Sequence, residues 1–218
     1  IAAVAIAIGI ALRKGKNAKA AIAEGSSGLK SYDLNTEASK EGHACGGAMQ
    51  VFIETFGTRS TLVLSGAGHV NRALMPLARS VGFRIILLDN RPEEMIADAI
   101  AMADKFIPVT DFEAGLRELE IAPGAFYVLA GPNHDCDCAA LAGALTKGGK
   151  YVGMIGSKVK IGNIFAKLRE RGYSEEELNS VNTPIGLNVS NERPEEIAIG
   201  IIAEILMVRN GKGRPDNV

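Results

Sequence analysis

The chain has 218 residues, with 25 acidic against 24 basic side chains and a formal net charge of −1. That balance gives no electrostatic footprint for nucleic acid or an anionic membrane surface, and 47% hydrophobic residues exclude a disordered chain and supply a sizeable core. Three cysteines, Cys45, Cys136 and Cys138, make no disulfide framework and fit a reducing, cytoplasmic compartment.

Residues 1–12 form an apolar run too short to span a bilayer. No basic segment precedes it and no small-residue cleavage site follows, so it reads as an alanine-rich core helix and not as a signal sequence. The lack of a starting methionine implies further sequence before Ile1. Gly25-Ser26-Ser27-Gly28 is a loop. Strand-like runs at 29–34 and 48–56 enclose a segment ending in Cys45-Gly46-Gly47. Gly57-Thr58-Arg59-Ser60 reads as a linker, dividing a smaller N-terminal α+β domain (residues 1–59) from a larger one (60–218).

From Thr61 the texture changes. Short apolar runs at 61–65, 84–88, 105–109, 126–130 and 151–155 are bounded by Gly, Asp or Pro, as in a parallel sheet buried on both faces. Between the first two, Val70, Ala73, Leu74, Leu77, Ala78 and Val81 recur at helical spacing, and Gly82 terminates the helix. Pro92 followed by Glu93 and Glu94 predicts the start of the next helix. Ser174-Glu175-Glu176-Glu177 is a capping-box pattern, and Pro194 opens a last helix with an apolar stripe of Ile197, Ile201, Ile202, Ile205 and Val208. Right-handed crossovers would wind these elements into an α/β, Rossmann-like doubly wound parallel sheet.

The strand at 61–65 runs into Gly66-Ala67-Gly68-His69-Val70-Asn71, close to the G-x-G-x-x-G/A dinucleotide fingerprint. The first glycine makes the turn, and the second lets a phosphate approach the backbone at a helix N-terminus. Asn71 replaces the small third residue, where it would crowd the helix against the sheet or project into ligand space. Asp89 ends the second strand, 23 residues after Gly66, where a carboxylate accepts from ribose hydroxyls. Arg91 could instead meet a 2′-phosphate, so NAD and NADP both remain open, as does a fold that keeps the glycines for the turn alone.

Other polar candidates fall at strand ends. After 126–130 come Gly131-Pro132-Asn133-His134-Asp135-Cys136-Asp137-Cys138. Asn133 or Asp135 can cap the following helix, whose dipole would favour a thiolate on Cys136 or Cys138. The two cysteines lie on different sides of that helix, so joint metal binding there would require distortion. His134 is a general acid, a ligand contact or a plain loop hydrogen-bonder. Gly156-Ser157-Lys158, with Lys160 beyond, suits an anion as well as it suits a solvated cap. Cys45-Gly46-Gly47, beside His43, is either an open thiol able to bind a soft metal or carry sulfur, or a hairpin turn with a packed cysteine.

Several of these segments coincide in one family. Cys45-Gly46-Gly47-Ala48-Met49-Gln50-Val51-Phe52-Ile53-Glu54 resembles the C-G-G-x-x-x-V-F-I-E signature of the bacterial xanthine dehydrogenase accessory factors, the XdhC/CoxI family. Gly66-Ala67-Gly68-His69-Val70 resembles its glycine loop, and Tyr151-Val152-Gly153-Met154-Ile155-Gly156-Ser157-Lys158 its Y-I-G-M-I-G-S-R/K run. Pro184-Ile185-Gly186-Leu187 and Pro194-Glu195-Glu196-Ile197-Ala198 resemble its closing segments. The resemblance implies a cytosolic maturation factor, a chaperone more than a catalyst, that binds molybdenum cofactor (molybdopterin), favours its sulfuration and delivers it to an apo-molybdenum hydroxylase. It further implies a homodimer and a cysteine desulfurase as a second partner. Carried across residue by residue, Cys45 is the contact to molybdenum or its transferable sulfur. Gly46, Gly47, Gly66, Gly68, His69, Asp89, His134, Gly156, Ser157 and Lys158 are then the remaining cofactor-binding candidates.

The sequence departs from the family in three places. The strands upstream of the first helix are absent, Asn71 stands at the third loop position, and Ala130-Gly131-Pro132-Asn133 replaces the usual T-R-G. Arg193 also stands where a capping Thr is common. Two other functions fit the residues alone: an NAD(P)-dependent oxidoreductase with His134 as proton donor, and a non-catalytic module that senses a nucleotide and binds a partner.

Overall fold

The structure, a computed structural model, describes residues 28–33, 48–53, 59–189 and 192–212. The apolar segment 1–12, His43 and Cys45-Gly46-Gly47 lie outside the described residues. The chain divides into two compact units, Ile1–Thr58 and Arg59–Val218.

In the smaller unit, β1 (Gly28–Asp33) and β2 (Ala48–Ile53) pair antiparallel, with Gly28 opposite Ile53 and Asp33 opposite Ala48. Leu29 and Phe52 face each other across this ladder and are exposed.

The larger unit is built on five parallel strands: β3 (Thr61–Ser65), β4 (Arg84–Asp89), β5 (Lys105–Pro108), β6 (Phe126–Leu129) and β7 (Tyr151–Met154). Their order is β5-β4-β3-β6-β7. The chain therefore moves outward from β3 in one direction and returns to start again on its other side, which places a topological switch point between β3 and β6. Strands β3, β4, β6 and β7 are almost wholly buried, as their unbroken apolar runs require. Edge strand β5 is the exception: Lys105 and Pro108 are exposed at its two ends.

Seven helices among the described residues cover the two faces. On one face α1 (His69–Ser80), α2 (Ala97–Met102) and α7 (Pro194–Arg209) pack Leu74, Met75, Ala78, Ala99, Ile201 and Ile205 against Leu62, Leu64, Ile85 and Val128. On the other, α3 (Phe112–Arg117), α4 (His134–Lys147), α5 (Lys158–Glu170) and α6 (Glu175–Asn179) pack Phe112, Leu116, Leu141, Ile164 and Leu178 against Val63, Ile86 and Tyr127. The strand alternation thus feeds two cores, giving the Rossmann-like three-layer α/β architecture expected from the sequence.

The punctuation signals behave as their chemistry dictates. Gly82, at φ +86°, follows α1, and its neighbour's amide closes the helix end through Phe83 N–H to Ala78 O at 3.0 Å. Ser174 and Glu177 form a reciprocal capping box. Pro194 opens α7, while Arg193 before it makes no capping hydrogen bond through its side chain. The helix expected at Pro92 starts later: Glu93–Met95 is a single 3-10 turn, and α2 begins only at Ala97. Ile96, at φ −130°, breaks the continuity because its side chain turns into the core.

Candidate functional site

The carboxyl ends of β3, β4 and β6 bring the glycine loop, Asp89 and the Gly131 loop together. Gly66, at φ +90°, presses against the β6 loop so closely that a Cβ there would lie 2.5 Å from the Ala130 carbonyl oxygen. The first glycine is therefore required for loop-against-loop packing as well as for the turn. Gly68 has ordinary room, since a Cβ on it would lie 3.8 Å from the same oxygen.

Asp89 is fully buried, and its carboxylate is committed. Oδ2 accepts from Ala67 N–H at 2.5 Å and from Arg91 Nη2 at 2.6 Å. Oδ1 accepts from Arg91 N–H and Arg91 Nε, both at 2.9 Å. Burial would raise the carboxyl's pKa, but the hydrogen bonds from Arg91 and Ala67 and the arginine's charge outweigh it and hold it below its ordinary value. In this arrangement Asp89 presents no open oxygen to a ribose, and Arg91 turns two of its nitrogens onto that carboxylate.

Asn71 neither crowds the helix off the sheet nor reaches into ligand space. It is fully buried, and its Nδ2 donates to Ser65 O at 3.1 Å and Gly66 O at 2.6 Å. The departure from a small residue thus ties α1 to the end of β3, a role that the glycine pattern could not reveal.

A second carboxylate, to which the sequence pattern assigns no role, performs the matching task on the other loop. Asp137 is fully buried, accepts from Gly131 N–H at 2.6 Å through Oδ1, and forms an ion pair through Oδ2 with Lys160 Nζ. Lys160 comes from α5, so this pair joins the starts of α4 and α5. The only signal in the sequence is a Lys two residues beyond Lys158, with nothing to link it to residue 137.

The helix N-termini at this edge differ. Asn133 caps α4, accepting from Cys136 N–H at 2.9 Å, and Asp135 and Asp137 sit in its first turn. Ser157 caps α5 through Lys160 N–H at 3.3 Å. By contrast α1 starts at Gly68 with no side-chain cap and no acidic residue in its first turn. Its first intrahelical bond is Arg72 N–H to Gly68 O at 2.9 Å, which leaves the amides of His69, Val70 and Asn71 outside the ladder. His69, His134, Ser157 and Lys158 are all exposed at these helix starts, while Gly156 is half-buried.

The two cysteines of α4 are a half-buried and a buried thiol. Cys136 is half-buried beside Asn90, whose Nδ2 lies 3.8 Å from its sulfur. Burial pushes its pKa up, and the carboxylates of Asp137, Asp135 and Asp89 add to that. Cys138 is buried, and burial likewise pushes it up. In both, desolvation of the thiolate is the largest cause of the rise. Among the described residues no group of three His, Cys, Asp or Glu side chains is placed to hold a metal ion. No helix among them is long and apolar enough to cross a membrane. A cavity of about 460 Å³ opens at the β5 edge between Lys105, Val109, Asp111 and Glu118, and none of the glycine-loop residues lines it.

A five-stranded parallel sheet whose first glycine turn opens at the switch point defines a Rossmann-type α/β protein. Residues 62–205 match the family described as the XdhC Rossmann domain, and the chain belongs to that family. It is 37% identical over 169 residues to the uncharacterized protein YqeB of Escherichia coli (strain K12), covering 78% of this chain and 31% of that protein. It is 28% identical over 159 residues to a probable xanthine dehydrogenase subunit of Bacillus subtilis (strain 168), covering 73% of this chain and 46% of that one. The crystal structure of a xanthine dehydrogenase from Bacillus halodurans matches with a TM-score of 0.60 and 27% identity, over 77% of this chain and 46% of that one. The chain therefore spans less than half the length of these relatives. The family resemblance carried by the glycine loop and the Tyr151–Lys158 motif holds.

Proposed function

We propose that this chain is an accessory factor that binds the phosphate end of molybdenum cofactor in its Rossmann crevice and assists insertion of that cofactor into a xanthine dehydrogenase-type hydroxylase. The observation that carries the reading is the open start of α1. Among the described helices it alone has neither a capping side chain nor a first-turn acid, and it lies at the switch point of an XdhC-family Rossmann domain. Uncapped amides and an uncompensated dipole favour a phosphate by about 1 kcal/mol or more. Lys158, exposed at the start of α5, adds a cation at the same edge of the sheet.

These residues fit a phosphate and do not by themselves fit the metal. When bound, the cofactor supplies the molybdenum and sulfur chemistry, and the described residues bind and orient its anionic end. For the metal, the family motif makes Cys45 the candidate, because a soft thiol suits molybdenum or a transferable sulfur. The names of the Bacillus relatives support a hydroxylase as client. Purified chain mixed with molybdenum cofactor should retain pterin and molybdenum through gel filtration, and Cys45→Ala should lose molybdenum-dependent retention. Equal retention by wild type and Cys45→Ala would remove the thiol role, and no retention by wild type would remove the reading itself.

A further inference from the structure

A Rossmann crevice with an aspartate at the end of its second strand is ordinarily read as a nicotinamide dinucleotide site. The residues of this crevice do not fit one. An ionised carboxylate has about four lone-pair positions, and all four on Asp89 are filled: by the Ala67 amide, the Arg91 amide, Arg91 Nε and Arg91 Nη2. Asp89 is wholly buried and Arg91 is 30% exposed, so Arg91 is the side of the pair that faces outward. The glycine turn is equally committed: Gly66 N–H donates to Leu88 O at 2.8 Å, and Ala67 N–H to Asp89. Asn71 fills the third fingerprint position and holds the carbonyls of Ser65 and Gly66.

From this we infer that Asp89 and Arg91 are a specificity pair that closes the ribose subsite, so that the crevice admits a phosphate-bearing ligand without a ribose diol and rejects NAD. The inference is independent of the molybdenum reading, since it concerns which nucleotides are refused. Arg91 occupies one acceptor position on each carboxylate oxygen through its side chain, and a ribose 2′,3′-diol needs the same two positions. Removing the guanidinium while keeping the Arg91 and Ala67 amides would leave Asp89 folded into the loop with the two positions vacant.

Arg91→Met is therefore the informative substitution, because it keeps the apolar stem of the side chain. Calorimetric titration of the full chain with NAD should give no binding at about 1 mM nucleotide for wild type. Arg91→Met should bind NAD at least about tenfold more tightly than wild type, and adding Asp89→Asn should abolish that gain. Circular dichroism and the thermal midpoint of each variant establish that it is folded. Wild-type binding of NAD that disappears in Asp89→Asn would overturn the proposal. So would a folded Arg91→Met that binds NAD no better than wild type. Neither outcome depends on whether the protein retains molybdenum or pterin.

Discussion

The loops that follow β3 and β6 meet at the switch point and are locked by the same device, yet they lead into helices of opposite character. In each loop one amide, Ala67 or Gly131, turns away from the mouth onto a buried carboxylate, Asp89 or Asp137. In each case a partly exposed cation, Arg91 or Lys160, completes the carboxylate. The helices then diverge: α4 is capped by Asn133 and carries two acids in its first turn, whereas α1 has neither cap nor acid. Rigidity of the crevice and receptivity to anions are thus separate properties. The buried carboxylates supply the first to both loops, and the vacant start of α1 supplies the second to one.

The sharpest way to break this arrangement is to push the loops apart. Gly66→Val would place a Cβ 2.5 Å from the Ala130 carbonyl oxygen at a φ of +90°, combining a backbone clash with a conformation that side chains rarely adopt. The expected loss is about 3–4 kcal/mol in urea unfolding. A loss near zero would mean that the loops do not bear on each other.

The two carboxylates come next. Asp89→Ala leaves Arg91 and the Ala67 amide without their acceptor, and should cost about 3 kcal/mol. Asp137→Ala releases one amide and one cation, and should cost somewhat less, about 2 kcal/mol. Urea midpoints of the two variants would reveal a reversed order if Asp137 were the main lock. Acid sharpens the same comparison. The folded-state pKa of Asp89 lies below the ordinary 3.8, so the unfolded chain takes up the proton first. The stabilisation from Asp89 is complete above about pH 3.8 and is lost as pH falls through the lower folded value. Wild type and Asp89→Asn should accordingly differ most at neutral pH and converge as pH falls below about 3.8, as followed by unfolding midpoints across that range.

How far these features are legible in the sequence depends on how local their causes are. The strands from Thr61 onward are legible because a strand buried on both faces must be an unbroken apolar run, and Thr61–Ser65 and Arg84–Asp89 are such runs. Caps at Asn133 and Ser174 are legible because donor and acceptor lie three residues apart. Partners far apart in sequence leave no such trace. Asp137 meets Lys160, and Glu204 on α7 accepts from Tyr151 OH at 2.5 Å and Gly186 N–H at 2.9 Å, across 53 and 18 positions. Asp89 lies between these cases. Its place at the end of β4 follows from spacing, but its saturation by Arg91 is a matter of side-chain geometry. Asn71 stands out in the sequence as an exception to a pattern, and only the fold gives it a task. Cys45 remains a motif residue, because it lies outside the described residues.

The smallest change in stability is attached to the most direct test of the difference between α1 and α4. Gly68 occupies the N-cap of α1 at φ −74° and ψ 173°, a conformation open to any residue, and a Cβ there meets no atom closer than 3.8 Å. Gly68→Asp should therefore be accommodated, cap α1 as Asn133 caps α4, and raise stability by a few tenths of a kcal/mol. The same carboxylate would satisfy a helix-start amide and place a negative charge where the ligand phosphate is proposed to sit. Retention of a phosphate-bearing pterin should fall by at least about tenfold, corresponding to roughly 1.4 kcal/mol. A protein that gains stability and loses the ligand would show that the absent cap is what distinguishes the binding loop from its neighbour. Unchanged retention would move the phosphate away from α1 and leave the start of α5, with Ser157 and Lys158, as the place to look.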